Sequence, residues 1–255
     1  MKKTALSALI ALVFLTGCAT DIDRSSMTPE ERFQYAMSLY NDESYLDAVS
    51  EFESILIQFP GSSIAPNAQF YLGMARFKRG EYLMGAYEFS KLINRMKTSD
   101  FIKDAQFMIA DCYYELSPNY ALDQKYSEKA IEEFQAFINF FPTDPKVEEA
   151  ERKIAELNDK LAEKLFSNAE TYENMGMLNA AIEYYGFVTE KYHDSQYSPR
   201  ASYKKIVLLI ERKRYKDALK ETENFISRYK NDPNLGSVQK IRDDILKMPQ
   251  FSAQN

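Results

Sequence analysis

Two thiols and one imidazole are the whole stock of soft nucleophiles and metal ligands in these 255 residues. Cys112 stands in the apolar helical stretch Ile109-Ala110-Asp111-Cys112-Tyr113-Tyr114, a setting for a small buried side chain rather than a reactive thiolate. His193 falls in the polar turn Tyr192-His193-Asp194-Ser195, where a solvated loop residue belongs. A Ser-His-Asp relay needs its imidazole held between fixed partners, and zinc needs several Cys or His at short spacings; neither pattern occurs. The eight glycines form no phosphate-cradling loop. Carboxylates are plentiful, but they alternate with lysines and read as solvated helix faces. The expectation is a non-enzyme with no catalytic residue, no metal site and no cofactor.

Cys18 has a different context. Lys2 and Lys3 precede an apolar run from Ala5 to Leu15, which ends in Leu15-Thr16-Gly17-Cys18. A basic start, a short apolar core and small residues before a cut make a bacterial secretory signal. The run falls short of the ~20 residues needed to span a bilayer. The sequence Leu-Thr-Gly-Cys resembles the lipobox of bacterial lipoproteins. That resemblance implies a signal peptide over residues 1–17, acyl groups such as palmitate on the sulfur and amine of Cys18, and a body anchored to a membrane surface. Loss of Lys2 and Lys3 takes the formal net charge from −6 to −8. An acidic body argues against a nucleic-acid partner and against a basic surface that reinforces the lipid. With Cys18 acylated, Cys112 has no partner for an intrachain disulfide.

Periodicity then sets the architecture. An aromatic or leucine, a small residue and a bulky residue recur as Tyr45-Ala48-Phe52, Tyr82-Gly85-Phe89, Tyr126-Ala130-Phe134, Leu178-Ala181-Tyr185 and Tyr215-Ala218-Thr222. Each triplet is expected in the second helix of a hairpin. A small residue lies 12 positions earlier, in the first helix, at Ala36, Gly73 and Ala169. Ala110 fits if Ser117–Gln124 is an insertion, and Ile206 holds the position in the fifth hairpin. Phe59-Pro60, Phe141-Pro142 and Tyr192-His193 close second helices, where proline suits the end. Helices approach closely only where side chains are small, and one hairpin cannot bury its own apolar face, so the expectation is an all-α superhelical solenoid of about five hairpins. The pattern resembles the tetratricopeptide repeat. Residues 18–27 read as the lipidated N-terminus and a flexible tether, and 28–145 as repeats one to three. Residues 146–236 read as a long connecting helix, from about 146 to 174, with repeats four and five. Residues 237–255 read as a short helix and a tail that frays from Pro249. Thr28-Pro29-Glu30-Glu31 is a helix start.

A second register runs through the first helices. Phe33, Phe70 and Phe107 are 37 apart, as are Tyr40, Phe77 and Tyr114, with Met37 and Met74 between them. Aromatic area and adaptable methionines on a concave face would suit an extended apolar peptide. The same residues lie near the close-packing positions Ala36 and Gly73 and serve equally as core.

Lipobox, short tether and five hairpins together resemble the BamD (ComL) family of outer-membrane lipoproteins. The stretches Leu122-Asp123-Gln124-Lys125-Tyr126, Lys129-Ala130-Ile131-Glu132-Glu133-Phe134 and Phe59-Pro60-Gly61-Ser62-Ser63 are similar to that family's third and first repeats. The resemblance implies a scaffold on the periplasmic leaflet of the outer membrane, within the β-barrel assembly machine. Its implied partners are the BamA barrel subunit through the C-terminal repeats, other assembly-machine lipoproteins, and unfolded barrel precursors through the N-terminal repeats. Ala19, rather than Asp, after the lipidated cysteine favours passage to the outer membrane. Another tetratricopeptide lipoprotein, such as a pilotin-like secretin or pilus assembly factor, shares these features and stays open as the alternative.

Overall fold

The computed structural model describes residues 24–252, so the expected signal segment and Cys18 lie outside the described residues. Among these, every regular element is helical. Five antiparallel hairpins follow in order: α1 (Pro29–Asn41) with α2 (Tyr45–Gln58), α3 (Ala65–Lys78) with α4 (Tyr82–Arg95), α5 (Ile102–Glu115) with α6 (Lys125–Phe140), α7 (Val147–Asn174) with α8 (Leu178–Lys191), and α9 (Ser198–Glu211) with α10 (Tyr215–Arg228). The helices α11 (Leu235–Leu246) and α12 (Pro249–Ser252) close the chain. Each helix packs on its neighbours in sequence, which makes an all-α solenoid of tetratricopeptide-like hairpins.

Local chemistry explains the ends. The Thr28 hydroxyl accepts from the Glu31 N–H at 3.3 Å, and the Glu31 carboxylate accepts from the Thr28 N–H at 2.8 Å, a reciprocal cap. Four of the five hairpin turns use one left-handed residue: Glu43 (φ 59°), Gly80 (75°), Gly176 (72°) and Lys213 (57°). The next N–H reaches back five residues, Ser44 to the Leu39 carbonyl at 2.9 Å and Arg214 to the Leu209 carbonyl at 2.8 Å. The third turn is longer. The buried Gln124 amide organises it by donating to the carbonyls of Asn119 (2.8 Å) and Leu122 (3.0 Å).

The hairpins cross at their small residues. Ala36, Ala48, Ala110, Ala130, Ala169, Ala181 and Ala218 have no exposed surface, and Gly73 and Gly85 are buried. A Cβ on Gly85 would stand 3.3 Å from the Gly73 carbonyl oxygen, so the two backbones touch. Thr222, lacking a ring, is still fully buried and returns its hydroxyl to the Leu219 carbonyl at 2.7 Å.

A polar pair repeats inside the hairpins. Arg32 Nε donates to Glu51 at 3.2 Å, Gln69 Nε2 to Glu88 at 2.8 Å, Gln106 Nε2 to Glu133 at 2.9 Å and Ser202 Oγ to Glu221 at 2.7 Å. Glu51, Glu88 and Glu221 are therefore buried, against the expectation of solvated carboxylates. Each is satisfied by a partner on the facing helix, which removes the penalty for leaving water. Hairpin four replaces the pair by Leu165 and Tyr184.

α7 is one uninterrupted helix of 28 residues, about 42 Å long at ~1.5 Å per residue. Its N-terminal part, from the capping Lys146 to Lys164, is laced to α5 and the following turn. Lys146 Nζ meets Asp104 at 2.6 Å, Lys153 pairs with Asp111, Lys160 Nζ donates to Ser117 Oγ at 2.6 Å, and Lys164 Nζ to the Leu122 carbonyl at 2.5 Å. Lys153 is buried, with Nζ 4.8 Å from the Tyr114 ring centroid and 5.5 Å from that of Phe107. The second half of α7 pairs with α8. Leu157 belongs to the hydrophobic core beneath α3–α6, and Ala162 to the core of the last two hairpins.

Both ends of the described chain are more ordered than their composition suggests. The expected tether reaches residue 27, yet Arg24–Ser26 forms a 3-10 turn, and Arg24 Nη1 donates to Glu51 at 2.8 Å with its guanidinium 5.6 Å from the Tyr35 ring centroid. The expected fray from Pro249 is instead the helical turn α12. Proline sits at its first position, where no N–H is missed, and Phe251 packs on the C-terminal core.

Candidate functional site

The register of the first helices decides what each ladder residue does. Phe33, Phe70 and Phe107 lie three positions before Ala36, Gly73 and Ala110, which puts them on the crossing face one turn away. They are core. Phe33 is 7% exposed and meets Phe52 at 5.9 Å and Tyr71 at 6.0 Å between ring centroids. Phe70 stacks on Phe101 at 4.4 Å, and Phe107 meets Phe134 at 5.6 Å and Phe137 at 5.3 Å. A groove built on these three rings is thereby replaced by packing within and between hairpins.

Met37 and Met74 follow the small residue by one position and so turn about 100° away from the crossing. Both are half-buried. The equivalent residue of the third hairpin is Asp111, which α7 covers through Lys153. Met37 and Met74 pack on their cores yet stay partly exposed, whereas Asp111 is nearly covered, its side chain 14% exposed.

The three C-terminal ladder residues sit beside the turns, also half-buried. The Tyr40 ring lies 5.4 Å from Tyr45 and 5.6 Å from Tyr71, and burial raises its hydroxyl pKa. Phe77 packs on Tyr82 at 5.2 Å. Tyr114 donates to Glu156 at 2.5 Å; that bond and burial push its pKa up to about 12, while the same bond lowers Glu156. Beyond Tyr114 a polar cleft of about 420 Å³ opens along α7, lined by Ser117, Tyr120, Glu156, Asp159, Lys160 and Glu163.

Cys112 is buried against the Gly85 backbone, and burial pushes its thiol pKa far up. His193 is exposed in the turn after α8, 2.8 Å from Asp194. Among the described residues no three His, Cys, Asp or Glu stand together to hold a metal, and no helix is long and apolar enough to cross a membrane. Sequence reasoning missed Tyr71, whose ring meets Phe33, Tyr40, Phe52, Phe70 and Phe101. It also missed the buried glutamates, although Glu51 and Glu88 repeat at 37 residues, each 19 beyond Arg32 and Gln69.

Residues 25–206, from the docked Arg24 turn into α9, match the YfiO family model, described as outer membrane lipoprotein. The chain belongs to the YfiO family. This makes it an outer membrane lipoprotein with a tetratricopeptide-like scaffold. No curated protein matches it. Among solved structures it is similar to the complex of the TPR2AB domain of yeast Sti1 with pHSP90 (14% identity, TM-score 0.44, covering 86% of this chain and 83% of that one). It is also similar to a thermophilic TPR protein of Thermus thermophilus (16% identity, TM-score 0.37, covering 87% and 100%).

Proposed function

We propose that this YfiO-family protein is the lipid-anchored scaffold of the outer-membrane β-barrel assembly machine. It stands on the periplasmic face, held by acyl groups on Cys18 after removal of residues 1–17. It binds a BamA-like barrel subunit through its C-terminal hairpins and presents unfolded barrel precursors from its N-terminal ones. The family match over residues 25–206 carries this reading. Because Arg24 is bonded to Glu51, only five residues lie between Cys18 and the folded body, and the six Cα–Cα steps span at most about 22 Å. Hairpin one is thus held close to the bilayer.

The precursor contact is the partly exposed apolar set of hairpins one and two: Met37, Tyr40, Met74 and Phe77. A photo-crosslinking residue at Met37 or Met74 captures an aromatic-ended barrel-precursor peptide, and one at the exposed Ile57 does not. Equal capture at Ile57 removes this assignment. For the scaffold role, the lipidated protein is purified from solubilised envelopes and its partners are identified. A BamA-like subunit at near-equal amount is the expected result; a secretin without it would falsify the assignment in favour of a pilotin-like role.

A further inference from the structure

Charge is distributed very unevenly along the solenoid. Residues 198–230, the fifth hairpin, hold ten basic residues and four acidic ones, a net charge of +6 in a chain of −6. Two of the four acids are neutralised locally, Asp217 by Arg214 at 2.8 Å and Glu221 by Lys205 at 2.9 Å. Arg212, Lys213, Lys216 and Lys220 are exposed and make no ion pair with any described residue. They occupy one turn and the start of α10, with Lys216 and Lys220 one helical turn apart on the same face. Lys213 holds the left-handed tip position, φ 57°, that glycine fills in hairpins two and four. A cation therefore stands at the outermost point of the turn, at the expense of local backbone strain.

The type of partner follows from what the patch lacks. Protein interfaces are anchored by large apolar or aromatic side chains in desolvated pockets. The exposed large hydrophobics of α9 and α10 reduce to Val207, while Met175 and Met177 in the turn of hairpin four are exposed apolar side chains left for the proposed barrel subunit. Clustered, flexible, unpaired cations with no apolar anchor complement a dense layer of phosphates. We propose that the α9–α10 turn is an electrostatic contact for anionic phospholipid headgroups. The solenoid would then meet the membrane at both ends, by acyl chains at hairpin one and by this basic turn at hairpin five. The inference uses the membrane location proposed above only for its setting, and its test does not depend on it.

Vesicle flotation of the mature chain with Cys18→Ser, which removes the acyl anchor, reads the patch alone. Binding is expected to vesicles containing 30% phosphatidylglycerol in phosphatidylcholine and not to phosphatidylcholine alone, with loss in high salt. Each basic side chain near an anionic surface is worth about five-fold in partitioning, so Lys213→Gly with Lys216→Gln and Lys220→Gln lowers binding about 100-fold. The single Lys213→Gly variant lowers it about five-fold with an unchanged or higher melting temperature, which separates lost charge from lost fold. Equal binding to both vesicle types overturns the proposal. So does indifference to the triple variant, or a folded chain that ignores vesicles while retaining an acidic protein through these lysines. If vesicle binding holds and the partner purification finds no barrel subunit, the assembly role fails and the headgroup contact stands.

Discussion

Gly73 and Lys213 show how differently single positions are constrained. A Cβ at Gly73 would lie 2.7–2.9 Å from the Phe89 ring, itself fully buried, so neither side can yield. Gly73→Ala is expected to cost about 2 kcal/mol, as overpacking of a filled core does, whereas Gly61→Ala, with nothing within 4 Å, leaves the urea midpoint near wild type. At the left-handed turn positions the sign reverses. Glu43→Gly and Lys213→Gly relieve strain and are expected to stabilise by up to about 1 kcal/mol in the same assay. A loss of stability would mean that those side chains make contacts worth more than the strain. The small residues were legible because helix crossings tolerate little else. The buried glutamates were not, because a carboxylate spaced among lysines looks solvated until its facing partner is known.

The contact between α5 and α7 carries the most concentrated electrostatics. Lys153 and Asp111 are largely buried, with side chains 9% and 14% exposed. Removing one charge strands the other, so Lys153→Met is expected to cost about 3 kcal/mol; the apolar double Lys153→Met with Asp111→Leu returns most of that loss. Chemical denaturation of the four forms checks this, and additive losses would show the pair to be uncoupled. The lacing also has a pH dependence. The Lys146 backbone N–H lowers the Asp144 pKa, and the Tyr114 hydroxyl lowers that of Glu156. A carboxyl whose folded pKa lies below its unfolded value stabilises fully above the latter and loses that contribution as the pH falls through the former. The thermal midpoint should therefore decline on acidification below the ordinary carboxylate values of 3.8 and 4.5. Tyr114→Phe should flatten the part due to Glu156. At the alkaline end Tyr114, raised from 10.0 to about 12, loses its contribution as the pH climbs through that interval.

Across the whole molecule, the repeat period and the long helix could be read from spacing because both follow from apolar periodicity. What covers what could not. The ladder of aromatics became core at three positions because its offset from the small residues, not its 37-residue spacing, fixes its direction. Average charge hid the basic fifth hairpin, since a net value sums over surfaces that never meet. The hydrophobic cores that α7 supplies at Leu157 and Ala162 share one rigid rod, and that rod acts as a dial. An alanine inserted between Asn158 and Asp159 would swing hairpins four and five by about 100° and advance them by only ~1.5 Å. Circular dichroism should hardly change. Any assembly that grips both ends at once should come apart, and a seven-residue insertion, close to two full revolutions, should restore the bearing at a greater reach.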